Sequence, residues 1–213
     1  MSGINFILRI LNFFLNFKTR FFRIWNRFMF WTKGVEYGKN MKVYNRIYFR
    51  GKGKVVIGDD FIFTSGSSIN PICRNIRGSL YTMTKEARIE IGDRVGISSA
   101  CLWAKDHIKI GNDVNIGGDC LIIDNDAHPI EYLERRSSFI KTEGIDVFYS
   151  RINSAPIKID DDVWIGARCQ ILKGVHIGPR SIIAAGSIVN KDIPADVLAG
   201  GVPCKVIRSL NCD

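Results

Sequence analysis

From Ile157 to Pro194 an aliphatic residue recurs at every sixth position: Ile159, Ile165, Ile171, Ile177, Ile183 and Val189. Four residues after each of the first five stands a small or β-branched residue: Val163, Cys169, Val175, Ser181 and Ser187. Neither a 3.6-residue helix nor a two-residue strand alternation produces a six-residue period. The repeat reads as a parallel β-helix, each hexad forming one short side of a triangular coil. The aliphatic residue points to the axis, and the small one occupies the corner where two sides crowd. Coils stacked at about 4.8 Å bury against one another what a single coil leaves exposed.

The same register recurs upstream. It is found at Ile91, Ile97 and Trp103 with Val95 and Cys101, and at Ile110, Ile116 and Ile122 with Val114 and Cys120. It is found again at Ile57, Phe63 and Ile69 with Phe61, Ser67 and Cys73. It slips at Arg74–Arg88, at His107–Ile108 and at Asp126–Pro156, where coils are expected to turn or extrude loops, and loops on a rigid scaffold carry chemistry. The expected fold class is all-β: a parallel β-helix over residues 35–194 with an excursion loop at about 129–156. An amphipathic α-helix over residues 1–34 precedes it, and a tail over 195–213 follows. Gly34–Lys54, with its strand-like alternation, is expected to form a first irregular coil.

The chain has 213 residues and a net charge of +9, enough for one good core. Before Glu36 stand six basic residues and no acid: Arg9, Lys18, Arg20, Arg23, Arg27 and Lys33. The rest is only mildly basic, which suits an enzyme for anionic substrates and offers no nucleic-acid reading motif. Cys73, Cys101, Cys120 and Cys169 fall on the small-residue position and read as buried fillers. No CxxC spacing occurs, so neither a disulfide framework nor a metal site is expected, and a reducing cytoplasm fits.

Asn5, Arg9, Asn12, Asn16, Arg20, Arg23 and Arg27 are spaced to form one narrow stripe of a helix. The rest of residues 4–31 is mostly large and apolar, too wide an arc for a surface helix and too often interrupted for a spanning one. No signal-peptide cleavage pattern follows. Two readings stay open: the helix lies in an anionic membrane interface, or its apolar face packs on the β-helix or a partner subunit.

His128 stands where the register breaks, beside Pro129, with Asp124 and Asp126 close by. A neutral imidazole at the mouth of a loop can take a proton near neutral pH. Asp126 is a candidate to orient it, although Asp-Asn-Asp is equally an ordinary turn sequence. His107 and His176 have no such context.

The hexads, the His128–Pro129 dipeptide, and the stretches DDVWIG, IAAGSIVNKDIP and AGGVPCKVIR resemble the hexapeptide-repeat acyltransferases. Within them the likeness is to sugar O-acetyltransferases, the galactoside, maltose, capsular and lipopolysaccharide branch. The resemblance covers roughly Ile89 to Leu210. It implies a left-handed β-helix, against the usual crossover hand, assembled as a homotrimer and using acetyl-CoA. It implies His128 as general base, deprotonating a sugar hydroxyl that attacks the thioester directly, with backbone N–H groups on the oxyanion. It places Ser98, Asp106 and Trp164 at the acceptor, Trp164 being alternatively an aromatic packed between subunits. It places Ala167, Ala185, Gly186, Ser187, Asn190, Lys191, Lys205 and Arg208 along the cofactor. Ser98 stands where the galactoside enzymes carry an asparagine, so the expected acceptor is instead a surface polysaccharide or its lipid-linked precursor, at the inner face of the cytoplasmic membrane. The alternative is an N-acetyltransferase for a nucleotide-linked amino sugar. A zinc enzyme on the same scaffold needs three converging histidines, which His107, His128 and His176 are too scattered to supply.

Overall fold

The computed structural model describes residue 17, residues 20–66, residue 72 and residues 77–210. They form a left-handed parallel β-helix of three sheets. Sheet A holds β1 (Glu36–Tyr37), β4 (Lys54–Ile57), β7 (Arg88–Ile91), β10 (His107–Ile110), β13 (Ile157–Ile159) and β16 (His176–Ile177). Sheet B holds β2 (Lys42–Tyr44), β5 (Ile62–Thr64), β8 (Gly96–Ser98), β11 (Asn115–Ile116), β14 (Trp164–Ile165), β17 (Ile182–Ile183), β19 (Val197–Gly200) and β20 (Lys205–Ser209). Sheet C holds β3 (Tyr48–Gly51), β6 (Ser79–Thr82), β9 (Cys101–Ala104), β12 (Leu121–Ile123), β15 (Gln170–Leu172) and β18 (Ile188–Val189). Each coil from β1 to β18 contributes one strand to each sheet, β19 and β20 add to sheet B alone, and every strand pairing is parallel except β19 with β20.

The hexad residues behave as the period requires. Ile159, Ile165, Ile171, Ile177, Ile183 and Val189 are all at most 1% exposed, and the corner residues Val163, Cys169, Val175, Ser181 and Ser187 are buried with them. Neighbouring coils stack like on like: Ile110 on Ile91 and Ile159, Ile116 on Ile97 and Ile165, Ile122 on Leu102 and Ile171.

Three details depart from the hexad count. Leu102, not Trp103, is the axial residue of β9, and Ala100 rather than Cys101 takes the buried corner. That corner is one residue shorter than the hexad count, and Ser99 turns there with φ 46°; its N–H bonds Thr64 O at 2.6 Å and its hydroxyl accepts from Gly66 N at 2.8 Å. Trp103 therefore faces outward. Ser79–Thr82 is β6 with Leu80 fully buried, so an in-register strand interrupts the slip expected at Arg74–Arg88, which resumes in the long turn between β6 and β7. Ile69 and Cys73 lie outside the described residues. Gly78 sits at this corner because the Phe63 ring fills the place of a side chain; an added Cβ would meet that ring at 2.0 Å. Finally, β19 continues sheet B past residue 194, so the segment expected as a tail closes the last coil.

Between sheets A and B the chain turns through residues with φ near +60°: Asp60, Arg94, Asp113, Asp162, Arg180 and Asp196. A side chain just before the turn accepts a backbone N–H from the coil below. Asp59 Oδ1 takes Lys39 N–H at 2.6 Å, Asp93 Oδ1 takes Asp59 N–H at 2.7 Å, Asn112 Oδ1 takes Asp93 N–H at 2.9 Å and Asp161 Oδ1 takes Asn112 N–H at 2.7 Å. Asp and Asn recur there because they tolerate the conformation or hold the next turn.

The open lower end is closed by helix α1, residues 20–32. Phe30 is fully buried in the core beneath Val35, Met41 and Val43. Asn26, 1% exposed, donates to Asn45 O at 2.8 Å and accepts from Ile47 N at 3.3 Å. This buried asparagine follows none of the stripe positions counted in the sequence. The excursion folds into α2 (Ser137–Glu143) and α3 (Ile145–Ser150). Their Phe139, Ile140, Phe148 and Tyr149 pack with Ile152 on Tyr81, Met83 and Trp103, covering the outer face of sheet C.

Phe30→Ala should destabilise the protein by about 3–5 kcal/mol, the range for emptying a buried phenylalanine site. Denaturant unfolding checks this, and an unchanged midpoint would show that α1 does not cap the core.

Candidate active site

The residues singled out from the sequence divide between two edges of the prism. Asp106, Asp126 and His128 lie on the first edge, where the chain passes from sheet C to sheet A. Ser98, Ala167, Ala185, Gly186 and Ser187 lie on the second, between sheets B and C, with Trp164 on the adjoining face of sheet B. Asn190 and Lys191 follow β18 and so fall on the first edge, across a strand from the rest of the cofactor set. Lys205 and Arg208 lie exposed on β20 beside β19.

The first edge is built around Asp124. It is fully buried, and its carboxylate accepts Lys105 N–H at 2.7 Å and Asp106 N–H at 2.8 Å from the coil below. Burial pushes this carboxyl above its ordinary range, and the bonds from Lys105, Asn125 and Asp106 oppose the shift. Asn125 Oδ1 accepts Ala127 N–H at 2.8 Å, Ala127 adopts φ 60°, and His128 N–H donates to Asp126 O at 2.7 Å. The result is a tight turn that leaves the His128 side chain exposed above a buried Pro129. Phe148 of α3 meets the imidazole edge to face, with ring centroids 5.8 Å apart and planes at 73°.

Asp126 has a different partner from the one considered in the sequence. Its carboxylate forms an ion pair with Lys173 of the coil above. It serves His128 through its main-chain carbonyl.

The second edge is a strip of small residues. A Cβ on Gly117 would lie 2.5 Å from Ala167 N, and one on Gly166 2.6 Å from Ala185 N, so the close approach of successive coils requires glycine. Ala185 and Gly186 are exposed, and Gly186 turns at φ 76° with open space where a side chain would stand. Ser187 points inward instead. Its hydroxyl is buried, donating to Ala184 O at 2.5 Å and accepting Gly201 N–H at 3.1 Å, so Ser187 offers this edge its backbone rather than its side chain. Beneath the strip, Cys120 donates to Gly166 O at 3.1 Å and Cys169 to Ala184 O at 3.2 Å. Bonding to Cys169 and burial push the Cys120 thiol up, which keeps it a protonated core filler.

His107 pairs with Glu90 at 3.3 Å and His176 with Asp160 at 2.6 Å on sheet A, away from His128. Among the described residues no group of three or more His, Cys, Asp or Glu is arranged to hold a metal ion.

Residues 156–191 match the family described as bacterial transferase hexapeptide, six repeats. This stretch is similar to the repeat of those transferases. It is 42% identical over 116 residues to galactoside O-acetyltransferase of Escherichia coli K12, a match covering 51% of each chain. Hence the chain spans about half the length of that curated relative. Its fold matches a hexapeptide-repeat acetyltransferase of Vibrio cholerae O1 biovar eltor solved with acetyl coenzyme A. The TM-score is 0.53 with 26% identity, over 88% of this chain and 78% of that one. A galactoside acetyltransferase solved with coenzyme A gives TM-score 0.51 and 27% identity over 83% and 65%. An N-acyltransferase of Bacillus cereus, AntD, shares the fold at TM-score 0.63, 16% identity and 87% and 88% coverage.

Two members of the repeat's first edge were not singled out from the sequence. Lys173 directly follows Leu172, which pairs with Ile123. Counting the hexads across the loop would have placed it over the Asp126 corner. Phe148 had no such signal, because α3 has no register in the repeat.

Proposed function

We propose that this protein transfers an acetyl group from acetyl-CoA to a sugar hydroxyl, as a homotrimer with each site shared by two subunits. The observation that carries the reading is His128, an exposed imidazole on a corner whose backbone is tied at every step. In this reading His128 accepts the proton of the acceptor hydroxyl as that oxygen bonds to the thioester carbonyl carbon. The carbon–sulfur bond then breaks, and the coenzyme A sulfur takes the proton back from the imidazolium. Phe148 limits how the ring can turn. The pantetheine arm would lie along Ala167, Ala185 and Gly186, with Lys205 and Arg208 near the phosphates and Trp164, Ser98 and Asp106 toward the acceptor.

A trimer is supported by the division between edges. Sheet C separates them, and its strands of four residues or fewer span on the order of 13 Å at the strand rise. A base on one edge and a cofactor strip on another therefore need two copies to meet. The outer face of sheet B offers apolar surface for that contact: Ile62, Trp164, Val206 and Ile207 are 41–59% exposed. A head-to-tail contact that closes gives a ring of equivalent sites.

His128→Ala should lower turnover about 10²–10⁴-fold with acetyl-CoA binding little changed; wild-type turnover would remove His128 as base. Hydroxyl and amino sugars should be assayed side by side, since preference for an amino acceptor would overturn O-acetylation. Mixed trimers of His128→Ala and Ala185→Trp chains should recover about a quarter of the sites, those pairing an intact base with an intact strip. No recovery would place the whole site within one chain.

We further propose that α1 rests on an anionic membrane surface, bringing the site to a surface-glycan precursor. Phe17, Phe21, Ile24, Phe28 and Trp31 form a stripe 51–75% exposed, flanked by exposed Arg20, Arg23, Arg27 and Lys33. Among the described residues no helix is long and apolar enough to cross a membrane. Because Phe30 and Asn26 seat the opposite face in the core, the test must spare them. Phe21→Ser, Ile24→Ser and Phe28→Ser combined should abolish co-sedimentation with anionic liposomes while leaving the unfolding midpoint near that of wild type. Equal sedimentation of both proteins would sink the membrane reading.

A further inference from the structure

Below His128 on the same edge lies a groove of about 700 Å³ between the lower coils and α3. Arg50 and Lys52 of the first coil, Tyr81 of β6, and Asp146 and Tyr149 of α3 line it, with Lys85 and Glu86 at the turn after β6. We propose that this groove binds the part of the acceptor beyond the acetylated residue, a sugar carrying an anionic group.

Four observations support it. First, the groove lies near His128: Phe148 meets the His128 ring at 5.8 Å and the Tyr149 ring at 6.2 Å, so the His128 ring and the Tyr149 ring of the groove wall lie within about 12 Å of each other. A disaccharide covers that span. Second, the aromatic wall is held in place. The Tyr81 and Tyr149 hydroxyls lie 3.3 Å apart, and burial followed by the Tyr149 bond pushes Tyr81 up to about 12, so it stays a neutral phenol; its ring is held between Arg50 and Trp103, and its hydroxyl edge is what a sugar can meet.

Third, the cations are available. Among the described residues no ion pair engages Arg50 or Lys52; Arg50 lies over the Tyr81 ring at 5.3 Å, which directs its guanidinium along the groove wall. A planar guanidinium beside an ammonium suits phosphate or carboxylate. Fourth, Glu86 and Asp146 share the groove. Carboxylates repel a bare anion but accept hydrogen bonds from hydroxyls, so the mixture fits a hydroxylated ligand with its charge at the Arg50–Lys52 end. Phosphate and carboxylate share this recognition, and the probes below separate them.

The proposal rests on the acetyltransferase reading for what it does, but its binding can be measured without catalysis. The probes are glucose 1-phosphate, a glucuronate-containing disaccharide and lactose, titrated into the full-length protein by saturation-transfer NMR. At least one anionic sugar should bind at least tenfold more tightly than lactose. Arg50→Ala with Lys52→Ala should remove most of that difference, and added salt should weaken it. Whichever anionic probe binds identifies the charged group. Acetyl transfer from acetyl-CoA should show the same preference, with the anionic-to-neutral ratio of kcat/KM falling about tenfold in the double variant. Lactose binding as well as either anionic sugar, or a preference that survives the double variant, would overturn the groove. Anionic binding lost in the double variant, but with no acetyl transfer to any probe, would keep the groove and overturn the reading of the reaction.

Discussion

Parallel pairing in register is the constraint on which the rest of the structure depends. In such a stack each residue has its equivalent above and below, so one choice of side chain must suit a whole column. Ile91, Ile110 and Ile159 pack as one column and Ile97, Ile116 and Ile165 as another. A single coil cannot bury its own aliphatic residues, and only stacking removes them from water. The ends are then exposed by construction. At the lower end Phe30 of α1 covers the first coil, and at the upper end β19 and β20 close sheet B.

The same constraint explains what was legible in the sequence. Columns of Ile and Val with small corner residues are a periodic signal, so every axial and corner residue read from the hexads of residues 157–189 is buried, and Ile157 joins them as a second inward residue of β13. Legibility ends where a corner changes length. Ser99 shortens one corner, and Leu102 replaces Trp103 at the axis although both are large and apolar. Nothing in a hexad count distinguishes them, because the shortening is stored in a φ angle and two hydrogen bonds of Ser99. Likewise Asn26 and Phe30 lie on a helix whose wide apolar arc hides which face is buried. The burial is decided by the shape of the first coil, which is tertiary information.

For the candidate site, position was more legible than partnership. His128 draws notice in the sequence because it stands where the register breaks, whereas Ala185 and Gly186 enter only through the resemblance to the hexapeptide-repeat acyltransferases. That Asp126 meets Lys173, and that Ser187 turns inward to Ala184 and Gly201, depends on contacts between coils separated by the loop. An aspartate two residues from a histidine is a natural candidate to orient it. Here the coil above supplies a cation at closer range, and the carboxylate goes to the stronger opposite charge.

Repetition fixes a corner side chain such as His128 in place but leaves little room for variety, since a changed column residue disturbs its neighbours above and below. Variety enters instead through what a corner extrudes. The corner that carries His128 also emits the segment containing α2 and α3, and that segment folds back over Tyr81, Met83 and Trp103 rather than into solvent. It therefore touches the histidine with Phe148 and walls the groove with Tyr149, from adjacent residues of one short helix. The second edge, by contrast, is confined by coil-to-coil distances that admit only glycine at 117 and 166. A scaffold divided in this way lets an insertion reshape the side proposed for the acceptor while the strip proposed for the cofactor stays as the stacking dictates.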